Sequence, residues 1–235
     1  MPLPASASCL TAPDGATMIA GATARRRAPR PRHAATLILV RQQMDGPRLL
    51  MGRRNAGHGF MPGKWVFPGG RLARADFVAP AASEPRPTVA CDVTRNLAPG
   101  RLRALAAAAV RETFEETGLL LAAPAATPAG KAWRDFCANG RAPDLGALTL
   151  IARMITPPHR PQRFDTFFFL ADAARLVSQQ PVDTRELEEV DWFAMNDIEA
   201  LDLPRPTRLI VAELRARFAG EQRAPYYRRF RNSRE

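Results

Sequence analysis

Residues 101–117 (RLRALAAAAVRETFEET) constrain this chain more than any other stretch. They are rich in Ala, Leu, Arg and Glu, all strong helix formers, and Gly118 follows where a left-handed residue commonly ends a helix. A helix over 101–117 is predicted. Each helical residue turns by about 100°, so Glu112 and Glu116 are i and i+4 neighbours and Glu115 lies one turn from Glu112. Three carboxylates leave one side, and Ala107, Val110 and Phe114 form a packing face opposite. Like charges at this spacing repel and weaken the helix. A divalent cation with a preference for oxygen ligands, such as Mg²⁺, offsets that repulsion; a solvated acidic face is the plainer alternative. Arg111, four residues before Glu115, can orient its carboxylate.

Around this helix the chain alternates short apolar runs with turn signals. Residues 34–40 read as a buried, β-branched strand, and Asp45-Gly46 reads as the tip of a hairpin returning through 48–51. A loop over 55–63 leads to a short strand, 64–67, stopped by Pro68-Gly69-Gly70. Residues 73–100 hold many prolines and no sustained period, so they read as an insertion. Further strands are expected at 119–121, 148–155, 164–170 and 189–193, a short helix at 132–137, and helices at 196–201 and 206–219. Interspersed strands and helices place the chain in the α/β (α+β) class.

Two linked stretches then point to a family. Residues 111–119, Arg-Glu-Thr-Phe-Glu-Glu-Thr-Gly-Leu, match the end of the Nudix box. Trp65-Val-Phe-Pro-Gly-Gly70 matches its glycine-rich opening. The chain resembles the Nudix hydrolases, which implies a mixed β-sheet sandwiched between helices. In the usual box a glutamate lies six residues after the second glycine and eight before the arginine. Counting back from Arg111 reaches Arg103, and about 27 residues are inserted. Such an interruption resembles the coenzyme A diphosphatase-like branch, as do Phe60-Met-Pro-Gly63, the segment 49–53 and Arg163-Phe-Asp-Thr-Phe-Phe168. Asp76 fits the second acidic position of that branch's signature; Ala73 misses the first.

The resemblance implies Mg²⁺ or Mn²⁺ held by Glu112, Glu115 and Glu116 with the Gly70 carbonyl, and Arg111 as their organiser. It implies cleavage of a diphosphate linkage in a nucleoside diphosphate derivative, with coenzyme A or an acyl-CoA as candidates. An RNA-directed, decapping-type hydrolase and a non-catalytic ligand-sensing module are the alternatives; the three retained glutamates favour an enzyme. Arg53, Arg54 and Arg163 are candidate phosphate clamps, because a guanidinium fork suits phosphate oxygens. Phe60, Trp65 and Phe167 to Phe169 could stack on a base, although aromatics in strands are more often core, as is expected of Trp65 and Trp192. The acidic group Glu186, Glu188 and Glu189 could supply a general base; a charged loop before a strand is the favoured reading. His58 and His159 are assigned nothing.

Charge is uneven. The formal net charge is +11, of which +4 lies in residues 1–33 and +3 in 221–235. The expected organisation is a flexible Arg/Pro-rich tail over 1–32, a Nudix domain over 33–220 and a basic C-terminal tail over 221–235. Basic tails can hold phosphate backbones, but solubilising ends are the simpler reading. Cys9, Cys91 and Cys137 form no CxxC pair, so neither zinc nor a disulfide framework is expected, and a reducing, cytoplasmic setting fits. No apolar run approaches the roughly 20 residues needed to span a bilayer. A homodimer is left open.

Overall fold

Alternating side chains on two long strands decide where the layers lie. The computed structural model describes residues 28–230, apart from 58, 60, 87–92, 99, 126–127 and 179. Strand β1 (Arg32–Gln43) turns through Asp45-Gly46 into β2 (Gly46–Arg54), with Val40 opposite Leu49 and Gln43 opposite Gly46. Gly46 has φ +118°, a conformation that favours glycine. Both strands run further than their apolar cores at 34–40 and 48–51.

The other elements are β3 (Trp65–Val66), β4 (Gly69–Arg71), α1 (Arg101–Thr117), β5 (Ala122–Pro124), β6 (Arg141–Pro143), β7 (Thr149–Ile155), β8 (Phe164–Asp172), β9 (Leu187–Ala194), α2 (Arg205–Phe218) and β10 (Tyr226–Arg229). The main sheet runs β10-β7-β8-β1-β2-β3, with β4 also paired to β1 and β9 to β2. It is mixed: β1 is parallel to β8 and β10 to β7, while β7 and β8 are antiparallel. Strands β5 and β6 pair separately.

Each face of the sheet carries its own core. Leu37, Leu39, Leu50, Phe167 and Phe169 pack with α1 on one side. Ile38, Val40, Leu49, Met51 and Phe168 pack with Ile210, Val211 and Leu214 of α2 on the other. The period of two along β1 feeds both layers, and the expected sheet between helices results. Residues Ala104 to Val110 of α1 are inaccessible all round, so alanines let this helix seat closely among its neighbours. Phe167, Phe168 and Phe169 are all buried, as core residues rather than stacking platforms. Trp192 is buried too, with the Arg41 guanidinium 3.9 Å from its ring centre. Trp65 is half-buried and meets Phe193 edge-on.

Several expectations shift. The strand placed at 119–121 begins later, as β5; Leu119 and Leu121 are buried core, and Leu121 makes only a single bridge, to Leu176. The helix at 132–137 is a 3₁₀ turn, Lys131–Trp133, and that at 196–201 is another, Asp197–Ala200. Strand β9 starts two residues before the expected 189. The basic tail expected over 221–235 is not simply a tail where it is described, because Tyr226–Arg229 add a parallel edge strand to β7. Its backbone hydrogen bonds come from a strand distant in sequence, which local composition does not reveal. The expected tail over 1–32 lies mostly outside the described residues. No helix among those described is long and apolar enough to cross a membrane.

The described parts of the insertion are folded down onto the domain. Asp76 is fully buried, Arg103 binds Glu84 and the Ala79 carbonyl, and Arg153 holds the carbonyls of Val93 and Arg95. The Ser83 hydroxyl donates to Asp144 and accepts from the Gly146 N–H. Burial works against the Asp144 carboxylate, but Ser83 and the Arg175 guanidinium outweigh it and hold its pKa below the ordinary value. Asp144 therefore stabilises the fold fully above the ordinary carboxylate range, and that contribution is lost as pH falls through its lowered pKa. Asp144→Asn is expected to lower Tm at neutral pH and to flatten the acid limb of a Tm-against-pH curve; an unchanged acid limb would count against the Ser83–Asp144–Arg175 clamp.

Candidate active site

A glycine bend and one helical turn meet at the centre of the α1 face. Strand β4 pairs with β1, placing Gly70 opposite Ala35 and Gly69 opposite Thr36. Gly69 has φ +157°, and a Cβ there would come within 2.4 Å of the Ala35 carbonyl oxygen. A Cβ on Gly70 would come within 2.3 Å of the Glu112 carboxylate. Both glycines are thus demanded by close approach: one of strand to strand, the other of helix to bend.

The four candidate residues of α1 take different roles. Glu116 is 3% exposed, and its Oε2 accepts from the Gly69 N–H at 2.8 Å. Burial pushes its carboxyl up to about 8; the Gly69 N–H and Arg54 oppose this, while Glu112 and Glu186 add to it. Glu112 is raised as well, first by burial and then by Glu115 and Glu186, against the pull of Arg111. The Glu115 side chain is half exposed and accepts from Arg111 Nη1 at 2.9 Å. Glu112 and Glu116 therefore face the bend, and Glu115 sits at its rim.

Arg111 is the hub beneath them. Its Nε and Nη2 donate to the two oxygens of Asp76 at 2.8 and 3.1 Å, and Nη2 also reaches Glu112 at 2.9 Å and the Arg71 carbonyl at 3.2 Å. Burial works against its charge, but Asp76, Glu112 and Glu115 more than compensate, so its pKa lies above the ordinary arginine value. Asp76 in turn accepts from the Ala73 N–H at 2.7 Å. Here the backward count from Arg111 misled: Arg103 belongs to a clamp on Glu84. Counted forward, the acidic residue six places after Gly70 is Asp76, and the long insertion follows it. The first acidic position of the box is shortened to aspartate rather than lost.

The loop before β9 closes another side. Val182 N–H donates to the Thr117 carbonyl and Thr184 Oγ1 to the Glu116 carbonyl. Glu186 acts electrostatically on both Glu112 and Glu116. Glu188 and Glu189 are engaged elsewhere, by Asn55 and Arg53. Sequence reasoning offered these three acids as one group; the structure separates Glu186 from the other two. Of the proposed phosphate clamps, Arg54 acts on Glu116, whereas Arg53 is paired with Glu189 and Glu188. Arg163 donates to the carbonyls of Thr156 and Pro29 at the start of β8. Phe60 lies outside the described residues.

Among the described residues no three His, Cys, Asp or Glu side chains close on one point as a ready-made cage. The donor set nevertheless fits a hard divalent cation. Carboxylates and a peptide carbonyl are the oxygen ligands such ions take, and burial beside the bend raises the pKa of both Glu112 and Glu116, with the Glu186 carboxylate adding to the effect on each. Glu115 would have to turn from Arg111 to join them. Gly70→Ala is expected to leave the fold standing while displacing the flexible end of Glu112, giving a large loss of turnover at nearly constant Tm. Gly69→Ala meets backbone instead and should cost more than about 1 kcal/mol of stability. Equal Tm losses in the two variants would contradict this division.

Comparison with known proteins places this arrangement. A sequence model of the NUDIX domain matches residues 99–214. The crystal structure of a NUDIX hydrolase from Alicyclobacillus acidocaldarius superposes with a TM-score of 0.62 at 30% identity, covering 78% of this chain and 90% of that one. The chain belongs to the Nudix hydrolase family. Among curated Nudix relatives, acyl-coenzyme A diphosphatase NUDT19 of Gallus gallus is 30% identical over 61% of this chain and 53% of its own length. The Homo sapiens protein of the same name is 33% identical over 54% of this chain and 48% of its own. This Nudix chain spans about half the length of the curated relatives it matches.

Proposed function

We propose that this chain is a divalent-metal-dependent hydrolase that cleaves a diphosphate linkage in a nucleoside diphosphate derivative, with coenzyme A or an acyl-CoA as its substrate. The observation that carries the reading is the seating of Glu112 and Glu116 against Gly69-Gly70, with a hydrogen bond from the bend to the helix. The names of the two NUDT19 relatives support the choice of substrate.

Glu112, Glu115, Glu116 and the Gly70 carbonyl would hold Mg²⁺ or Mn²⁺. When bound, such an ion neutralises phosphate charge and polarises the P–O bond to be broken. The remaining work belongs to the chain. Gly69 N–H fixes one oxygen of Glu116, leaving the other for a ligand. Arg111, locked on Asp76, sets the position of Glu112 before substrate arrives, and holds Glu115 at the rim, from which it would turn inward to reach the ion. Arg54 supplies positive charge beside Glu116. Glu186 faces the pair from the opposite loop, where a carboxylate can accept a proton from an attacking water.

The direct test is incubation with coenzyme A, an acyl-CoA, ADP-ribose and dinucleotides, with Mg²⁺ or Mn²⁺, and product identification by mass. Expected products are two phosphomonoesters from coenzyme A, one of them a 4′-phosphopantetheine. A folded protein that splits none of these compounds with either ion would refute the proposal. Glu186→Gln should lower kcat more than it raises KM; wild-type kcat in that variant would remove Glu186 from the reaction.

A further inference from the structure

A cavity of about 610 Å³ opens beside the acidic turn, and its lining is mainly basic. Arg32 starts β1, Arg71 ends β4, Arg74 begins the short 3₁₀ turn Arg74–Val78, and Arg101 starts α1; all four line the cavity, whose wall also includes Arg111 and Glu112. Arg111 is neutralised by its three carboxylates. The other four have no carboxylate within ion-pair distance among the described residues. No acidic residue occupies the first turn of α1, so the positive end of the helix dipole adds to the same field. One wall carries Phe77, a large apolar side chain left 44% exposed, with the Arg101 guanidinium 5.3 Å from its ring centre.

A concavity lined by charges of one sign focuses their field and concentrates the opposite ion, here an anion. The dimensions suit one nucleotide rather than a strand, since small-molecule pockets fall between about 300 and 1,000 Å³. An exposed ring backed by a guanidinium offers a stacking surface for a base. We propose that this cavity is a subsite for a phosphomonoester carried on the nucleotide in addition to its diphosphate. Substrates bearing that extra phosphate are thereby preferred over those lacking it. The inference rests on reading the acidic turn as the place where the diphosphate is cleaved, because Glu112 joins the two.

The cavity can be probed apart from hydrolysis. In EDTA, adenosine 3′,5′-bisphosphate should bind at least about 10-fold more tightly than adenosine 5′-monophosphate, as expected for a charge-assisted contact. Arg74→Ala with Arg101→Ala should erase that ratio, and Arg74→Lys with Arg101→Lys should restore part of it. In turnover, kcat/KM for coenzyme A should exceed that for 3′-dephospho-coenzyme A by a similar factor, carried by KM, and the alanine pair should level the two. Equal binding of the bisphosphate and monophosphate by the wild type would overturn the inference. So would an equal loss on both substrates in the alanine variant, or tighter binding of a short single-stranded RNA through the same arginines. A protein that cleaves neither substrate yet holds the bisphosphate preferentially keeps the subsite and loses the proposed reaction.

Discussion

Replacing Glu115 and Glu116 together by glutamine is expected to lower turnover by at least about 10²-fold while leaving the fold intact. Removing one well-placed electrostatic group from a preorganised site commonly costs that much. The fold should survive because Glu115 is half exposed and Glu116→Gln keeps an amide oxygen to accept from the Gly69 N–H. Burial already disfavours the charged form of Glu116, which is why its carboxyl stands near 8, so at neutral pH the metal-free protein holds it mainly as the neutral acid and the amide is a close substitute. Metal binding separates a loss of chemistry from a loss of structure. Saturating Mg²⁺ or Mn²⁺ should raise the wild-type Tm, by about 2.7 kcal/mol of stabilisation at 100 times the dissociation constant. The double variant should show little of that rise. Normal hydrolysis by the double variant would refute the site assignment.

The second large effect is on stability. Arg111→Ala strands Asp76, which has no solvent exposure and relies on Arg111 for contacts to both of its oxygens. Breaking a buried pair from one side costs about 3–5 kcal/mol because an uncompensated charge remains. In a chain of this size that corresponds to a Tm loss of about 10 °C. Turnover should collapse as well, since Glu112 and Glu115 lose the guanidinium that positions them. Asp76→Asn should be milder, because Arg111 keeps two carboxylates. A double Asp76→Leu, Arg111→Leu variant should recover much of the stability and none of the activity, separating the structural from the positioning role of the pair. An Arg111→Ala protein melting at the wild-type temperature would show that the hub carries no stabilising load.

Much of this was legible along the chain because it is governed by local rules. The 3.6-residue period and Gly118 bounded α1 to the residue, and the β-branched run at 34–40 with Asp45-Gly46 marked the first hairpin. The acidic turn could be read because i, i+4 spacing brings carboxylates together on any helix. Other features depended on partners far away in sequence. Asp76 could be matched to an acidic position of a signature; only the approach of Arg111, 35 residues on, makes it the anchor of the site. Glu186 could not be told from Glu188 and Glu189 until β9 paired with β2 and brought Arg53 and Asn55 to the latter two. The strand β10 was hidden for the same reason, since an edge strand is defined by the neighbour it bonds to.

The sequence by itself determined the helix with its three glutamates, the glycine bend, and their membership of one motif, because helix propensity, glycine geometry and charge spacing act over a few residues. Tertiary structure alone decided which carboxylates face the bend, which acid locks Arg111, and where Arg32, Arg71, Arg74 and Arg101 gather. Those outcomes are set by burial and by electrostatics between segments tens of residues apart, and such terms have no value until the chain has closed on itself.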